Sequence, residues 1–193
     1  AGVGTMLAGA DIAPTNITAG MDIIVSGTLG DHAATVMAAR HGLTLPPEIQ
    51  SDCAPLCHLT AAMIAAAGDG IAVLRDPTRG GAAASLNELA GAAGVGVLLD
   101  EEQIPVRPAV QGVCEMLGFD PLTLANEGKL LAFVRPELTA RVLDVMHENP
   151  YGREACVIGH TTADAPGTVG LRTALGGIRV VDLPLGELVP RIC

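Results

Sequence analysis

The 193 residues predict an α+β fold, a mixed β-sheet flanked by helices. Two observations carry that expectation. Apolar runs of strand length alternate with helix-length segments as far as about residue 148, and three strand-like runs then follow one another. The length suits one domain with a sizeable core. No internal repeat, low-complexity segment or charge run marks a boundary inside it.

The elements follow from local signals. Residues 3–7 read as the end of a strand. Asp22–Ser26 (D-I-I-V-S) reads as a short buried strand stopped by Gly27. Asp31–His41 reads as a helix with an acidic start and Gly42 after its end. Ser51 or Asp52 is placed to cap a second helix running to Ala67, with Pro55 in its first turn. Ile71–Leu74 reads as a strand, Arg79–Ala93 as a helix closed by Gly94, and Val95–Leu99 as a strand. Arg107–Leu117 carries Val110, Val113, Cys114 and Leu117 on one helical face. Leu130–Val134 is a further strand, and Pro136 opens a helix to about Glu148. Strand-like runs near Ala155–Gly159, Thr168–Thr173 and Ile178–Leu183 come last, followed by an extended P-L-G-E-L-V-P-R-I-C.

Composition excludes several classes. About half the residues are apolar, but the excess lies in Ala and Gly, and no run of 18 or more apolar residues exists to cross a membrane. The formal net charge of −10 argues against nucleic acid and anionic membrane surfaces. The first 20 residues lack a basic start with a long apolar block, so no signal peptide is expected and the chain reads as beginning within a longer protein. Five Cys without a secretory signal suggest free thiols in a reducing cytoplasm. With no Trp and few other aromatics, the core has to come from Val, Leu, Ile, Ala and Met.

Five places could carry chemistry. In S-G-T-L-G-D-H, a strand ends, two Gly allow a tight turn and a helix begins, which can offer backbone N–H groups to an anion. Taken alone it reads as an ordinary junction with Asp31 as a cap. R-D-P-T-R-G-G (75–81) brings two guanidinium groups that suit phosphate or carboxylate, and Gly80–Gly81 let another group approach closely. A loop held by an Asp76–Arg salt bridge explains it equally well. N-E-G-K (126–129) contains the sole Lys of the chain, and Glu127 could act as a general base. By itself this motif reads as a solvated turn. Cys53, Cys57 and His58 lack a second ligand pair, and Cys156 and His160 fall on a strand-like run. These read as buried structural thiols rather than a zinc site. Cys193 is the last residue, on a tail expected to be mobile and exposed. Its own α-carboxylate disfavours the thiolate, so activation has to come from a partner.

Taken in order, S-G-T-L-G-D-H, S-D-C-A-P-L, R-D-P-T-R-G-G, N-E-L-A, N-E-G-K-L and the terminal P-R-I-C resemble the HypE hydrogenase maturation proteins. These belong to the superfamily of aminoimidazole ribonucleotide synthetase and selenophosphate synthetase. The resemblance implies the C-terminal domain of that fold: residues 1–10 as a remnant of an inter-domain strand, 11–185 as the domain, and 186–193 as a tail. It implies a dimeric, ATP-using protein. HypF places a carboxamide on the terminal thiol, ATP drives its dehydration to a thiocyanate, and the cyano group passes to a HypC–HypD complex. On this chain it assigns Cys193 as covalent carrier and Glu127 as base. Asp76, Thr78 and Arg79, then Asp31 and His32, become contributors to nucleotide or tail binding. It also implies that Mg²⁺ and most ATP ligands lie in an N-terminal domain absent from these residues, so that they do not turn over alone. Two alternatives stay open: another ATP-using synthetase of the superfamily, and a non-catalytic docking fragment.

Overall fold

The computed structural model describes residues 5, 7, 9–47 and 49–183. The tail ending in Cys193 therefore lies outside the described residues, as does the predicted strand at 3–7 except for residues 5 and 7.

Among the described residues, seven strands form one mixed sheet: β1 (Asp22–Val25), β2 (Ile71–Arg75), β3 (Gly96–Asp100), β4 (Leu131–Val134), β5 (Cys156–Thr162), β6 (Val169–Arg172) and β7 (Ile178–Val180). Their order is β2-β4-β1-β5-β3-β6-β7. Among the described residues only β3 and β6 pair in parallel, with Leu99 opposite Leu171. β1 is an interior strand, antiparallel to β4 with Ile23 opposite Phe133 and to β5 with Asp22 opposite His160. The helices are α1 (Asp31–Arg40), α2 (Cys57–Ala67), α3 (Gly81–Ala93), α4 (Pro108–Leu117) and α5 (Pro136–His147).

Strand periodicity divides the core. Alternate side chains of a strand point to opposite faces. Ile23 and Val25 of β1, with Leu131 and Phe133 of β4, pack under α3 through Ala82, Ala83, Leu86, Leu89 and Ala90. Ile24, Ala132 and Val134 face the other way, against Leu59 and Met63 of α2 and Val142 and Met146 of α5. Because both faces are covered, β1 and β4 read as continuous apolar runs rather than alternating ones. A third cluster joins α1 and α4, with Ala33, Ala34, Val110, Val113 and Cys114 around Leu124. No helix among the described residues is long and apolar enough to cross a membrane.

Helix starts differ from the sequence expectation. α2 begins at Cys57, not at Ser51 or Asp52, and no side chain caps it. The Ser51 and Asp52 side chains are held elsewhere, as described below. α3 begins at Gly81 behind a left-handed Gly80, two residues later than expected. Gly30, with φ 86°, precedes α1, so Asp31 is its first residue and not its cap.

Candidate active site

Three segments far apart in sequence meet at the end of β1. The first is the turn that leaves β1. Ser26 donates its N–H to the Leu130 carbonyl at 3.0 Å, and its hydroxyl accepts the Leu130 N–H at 3.0 Å. Residues 26–31 are all buried. Two N–H groups of the turn bond within the chain: Leu29 donates to the Pro105 carbonyl, and Gly30 to Asn126 Oδ1, both at 2.8 Å.

Asn126 is the joint of the site. Its side chain is buried, and its Nδ2 donates to the Pro77 carbonyl at 3.1 Å and the Leu124 carbonyl at 2.9 Å. One amide therefore ties the turn at 27–30 to the loop at 75–80. Gly81 belongs to the same joint. A Cβ there would lie 2.4 Å from the Leu122 carbonyl oxygen and 2.5 Å from that of Leu124. The close approach expected at Gly80–Gly81 is thus made by the chain's own backbone.

The second and third segments, 51–54 and 126–129, interlock. Gly128 has no alternative, since a Cβ would fall 1.7 Å from the Asp52 carbonyl oxygen and 2.7 Å from the Ala54 nitrogen. Asp52 Oδ1 accepts the Glu127 N–H at 2.9 Å. Its Oδ2 lies 3.6 Å from Lys129 Nζ, with the two side chains 2% and 14% exposed. Asp52 Oδ2 is buried and has no hydrogen-bond partner. The Lys129 stem runs over Gly27, where a Cβ would stand 3.3 Å from Cε. Together with Pro150, Tyr151, Arg153 and Glu154, these segments line a cleft of about 210 Å³.

The predicted residues distribute as follows. Asp31 is buried; its Oδ2 accepts the Thr28 hydroxyl at 2.5 Å and Arg107 Nε at 3.4 Å. Arg107 also reaches Glu154 Oε2 at 2.8 Å, so it joins α1 to the cleft rim. His32 Nδ1 lies 2.9 Å from Ser51 Oγ, which donates to Cys53 Sγ at 3.3 Å. Glu127 is exposed beside the interlocked loops. Asp76 and Arg79 are exposed and Thr78 half-buried, and none of the three lines the cleft. Arg75 pairs with Glu88 at 2.7 Å rather than with Asp76.

Sequence reasoning missed Asp52, taken as a helix cap, and Asn126, hidden beside Glu127. The signal was available in the short polar motifs S-D-C-A-P and N-E-G-K, whose glycine and proline reserve the backbone for a tight contact.

The thiols need correction too. Cys53 and Cys57 are exposed, not buried. They lie in or just after an irregular segment that ends on α2, where the expected apolar helical face has not begun. Cys114 is buried, and burial, with Asp120 and Glu115 nearby, pushes its pKa from 9.0 to about 11. Burial also raises Cys156. Among the described residues, no group of three or more His, Cys, Asp or Glu is gathered to hold a metal ion.

An interior antiparallel strand sheathed by helices, with its outgoing turn locked to two distant polar loops, is the frame of the site. Residues 18–172 match the family described as AIR synthase related protein, C-terminal domain, and the chain belongs to that family. Within it, the chain is similar to the carbamoyl dehydratase HypE of Rhodobacter capsulatus, at 50% identity over 192 residues. That match takes in 100% of this chain and 56% of the relative, so the chain spans little more than half the length of the curated relative. A crystal structure of a HypE–HypF complex superposes with a TM-score of 0.86 at 40% identity, covering 91% of this chain and 57% of that one. A crystal structure of HypE in complex with ATP superposes at 0.87 and 37%, covering 92% and 54%.

Proposed function

We propose that this chain is the C-terminal domain of an ATP-dependent carbamoyl dehydratase that turns an S-carboxamide on its own Cys193 into a thiocyanate, for the cyanide ligands of a nickel–iron hydrogenase. The observation that carries the reading is the meeting of the 26–32, 51–54 and 126–129 loops around a buried Asp52–Lys129 pair. The likeness to carbamoyl dehydratases, which runs the length of the chain, supports the same reading.

An amide oxygen is a poor leaving group, so the carboxamide oxygen first takes the γ-phosphoryl group of ATP. ADP leaves in that transfer, and one N–H proton passes to water as the C=N bond forms. The second goes to Glu127 as the C–O bond breaks, phosphate departs and the nitrile remains. Glu127 suits this role because its exposed carboxylate sits on a backbone fixed by Asp52 and Gly128. Asp76, Thr78 and Arg79 are assigned to the nucleotide side, joined to the cleft through Asn126. Asp31 and His32 hold the cleft wall. Phosphoryl transfer needs Mg²⁺, whose ligands, like most of those for ATP, this reading places mainly in the N-terminal domain of the whole protein. HypF as carboxamide donor, a HypC–HypD complex as cyanide acceptor and a homodimeric whole protein belong to the same proposal. The HypE–HypF complex supports the first of these partners.

The test is the mass of the C-terminal peptide of the complete protein carrying this chain, after incubation with carbamoyl phosphate, ATP and HypF. A carboxamide on Cys193, losing one water only with ATP, is the expected result. An unmodified Cys193, where an established HypE becomes modified, sinks the proposal.

A further inference from the structure

The Asp52–Lys129 pair is close but not joined. A charge-assisted N–H···O bond is about 2.7–2.9 Å long, whereas Nζ and Oδ2 stand 3.6 Å apart. Oδ2 is left as a buried acceptor without a donor. Lys129 brings three N–H donors and no acceptor. The cleft thus offers, side by side, a buried acceptor without a donor and a mostly buried lysine. A buried acceptor is costly to leave unsatisfied, and the placement of the two side chains is enforced. Gly128 is the only residue that lets the 51–54 loop approach so closely, and Gly27 leaves room for the lysine stem.

The complementary ligand carries one acceptor and one donor on the same carbon and has no net charge. A carboxylate would meet Asp52, and an ammonium would meet Lys129. A primary amide satisfies both, its oxygen accepting from Nζ and its NH₂ donating to Oδ2. We infer that Asp52 and Lys129 are the specificity-determining pair that grips the carboxamide in the cleft; the inference rests on the dehydratase reading above. The pair orients the amide and distinguishes it from the unmodified thiol and the hydrolysed acid. A nitrile has no N–H for Oδ2, so the grip is released when dehydration is complete.

The experiment uses the complete protein, carbamoylated on Cys193 by HypF with carbon-13-labelled carbamoyl phosphate and then freed of nucleotide. Infrared spectroscopy reads the labelled carbonyl stretch, and peptide mass reads water loss after ATP is added. Lys129→Met and Asp52→Asn are each expected to shift the stretch and slow water loss by about tenfold to a hundredfold, the span for a hydrogen bond to a charged group. Lys129→Arg separates recognition from structure. Its guanidinium keeps the charge and can bond Asp52 directly, so a purely structural pair would retain the parent rate and stretch. Under the inference Lys129→Arg is as slow as Lys129→Met while melting like the parent. Parent-like rates and spectra in Lys129→Arg overturn the inference, also where the other two variants fail to fold. A parent protein that carries the label, shows the shift and never loses water would refute the dehydratase reading and leave the amide grip standing.

Discussion

Replacing Asn126 by Ala removes three side-chain hydrogen bonds at once: one accepted from Gly30 and two donated to Pro77 and Leu124. The side chain is buried, so water does not replace them readily, and the Gly30 N–H is left without an acceptor. At about 1 kcal/mol net for each bond, the loss comes to roughly 3 kcal/mol. For a domain of this size that lowers the melting midpoint by about 6–12 °C. Circular dichroism of the protein carrying this chain measures the midpoint, and amide hydrogen exchange at Gly30 should quicken well beyond the global change. Asn126→Asp is expected to be worse, although it keeps the shape. It retains an acceptor for Gly30 but sets an oxygen against two carbonyls and buries a charge. A midpoint within about 2 °C of the parent for both variants, with unchanged exchange at Gly30, would refute the claim that this amide joins the two loops.

Other outcomes follow from the same geometry. Gly128→Ala forces backbone against backbone at Asp52 and Ala54, so both the melting midpoint and the dehydration rate should fall, as melting curves and peptide mass would record. Arg107→Met leaves the buried Asp31 carboxylate with the Thr28 hydroxyl as its one remaining side-chain partner and should cost about 1–3 kcal/mol in urea unfolding. A thiol reagent at mild alkaline pH should label Cys53 and Cys57 quickly and Cys114 only on unfolding, as peptide mapping would reveal. Because the folded Cys114 holds its proton up to about 11 and the ordinary thiol only to 9.0, its contribution to stability is complete below pH 9. It is lost as pH rises from 9 towards 11, which unfolding across that range would detect.

The strands were legible because their chemistry is local. Buried apolar runs at 22–25, 71–75 and 131–134 need no partner to be recognised, and Pro136 and Gly94 mark helix ends by their own backbone limits. The sheet order was not legible, since β1 takes neighbours from more than a hundred residues downstream. The misread helix starts share one cause. Asp52 and Asp31 are good caps by propensity, yet tertiary partners claim their carboxylates: the Glu127 amide for one, Thr28 and Arg107 for the other. The site was half visible. Lys129 stood out as the sole lysine, but nothing in the linear order points from it to an aspartate 77 positions earlier.

The double tether at Asn126 also sets how this region can move. An amide that accepts from one loop and donates to the other is polarised and cannot be turned over without losing every bond it makes. The segments around Gly30 and Pro77 are therefore coupled through one buried side chain, and a displacement of either strains the bonds that hold the other.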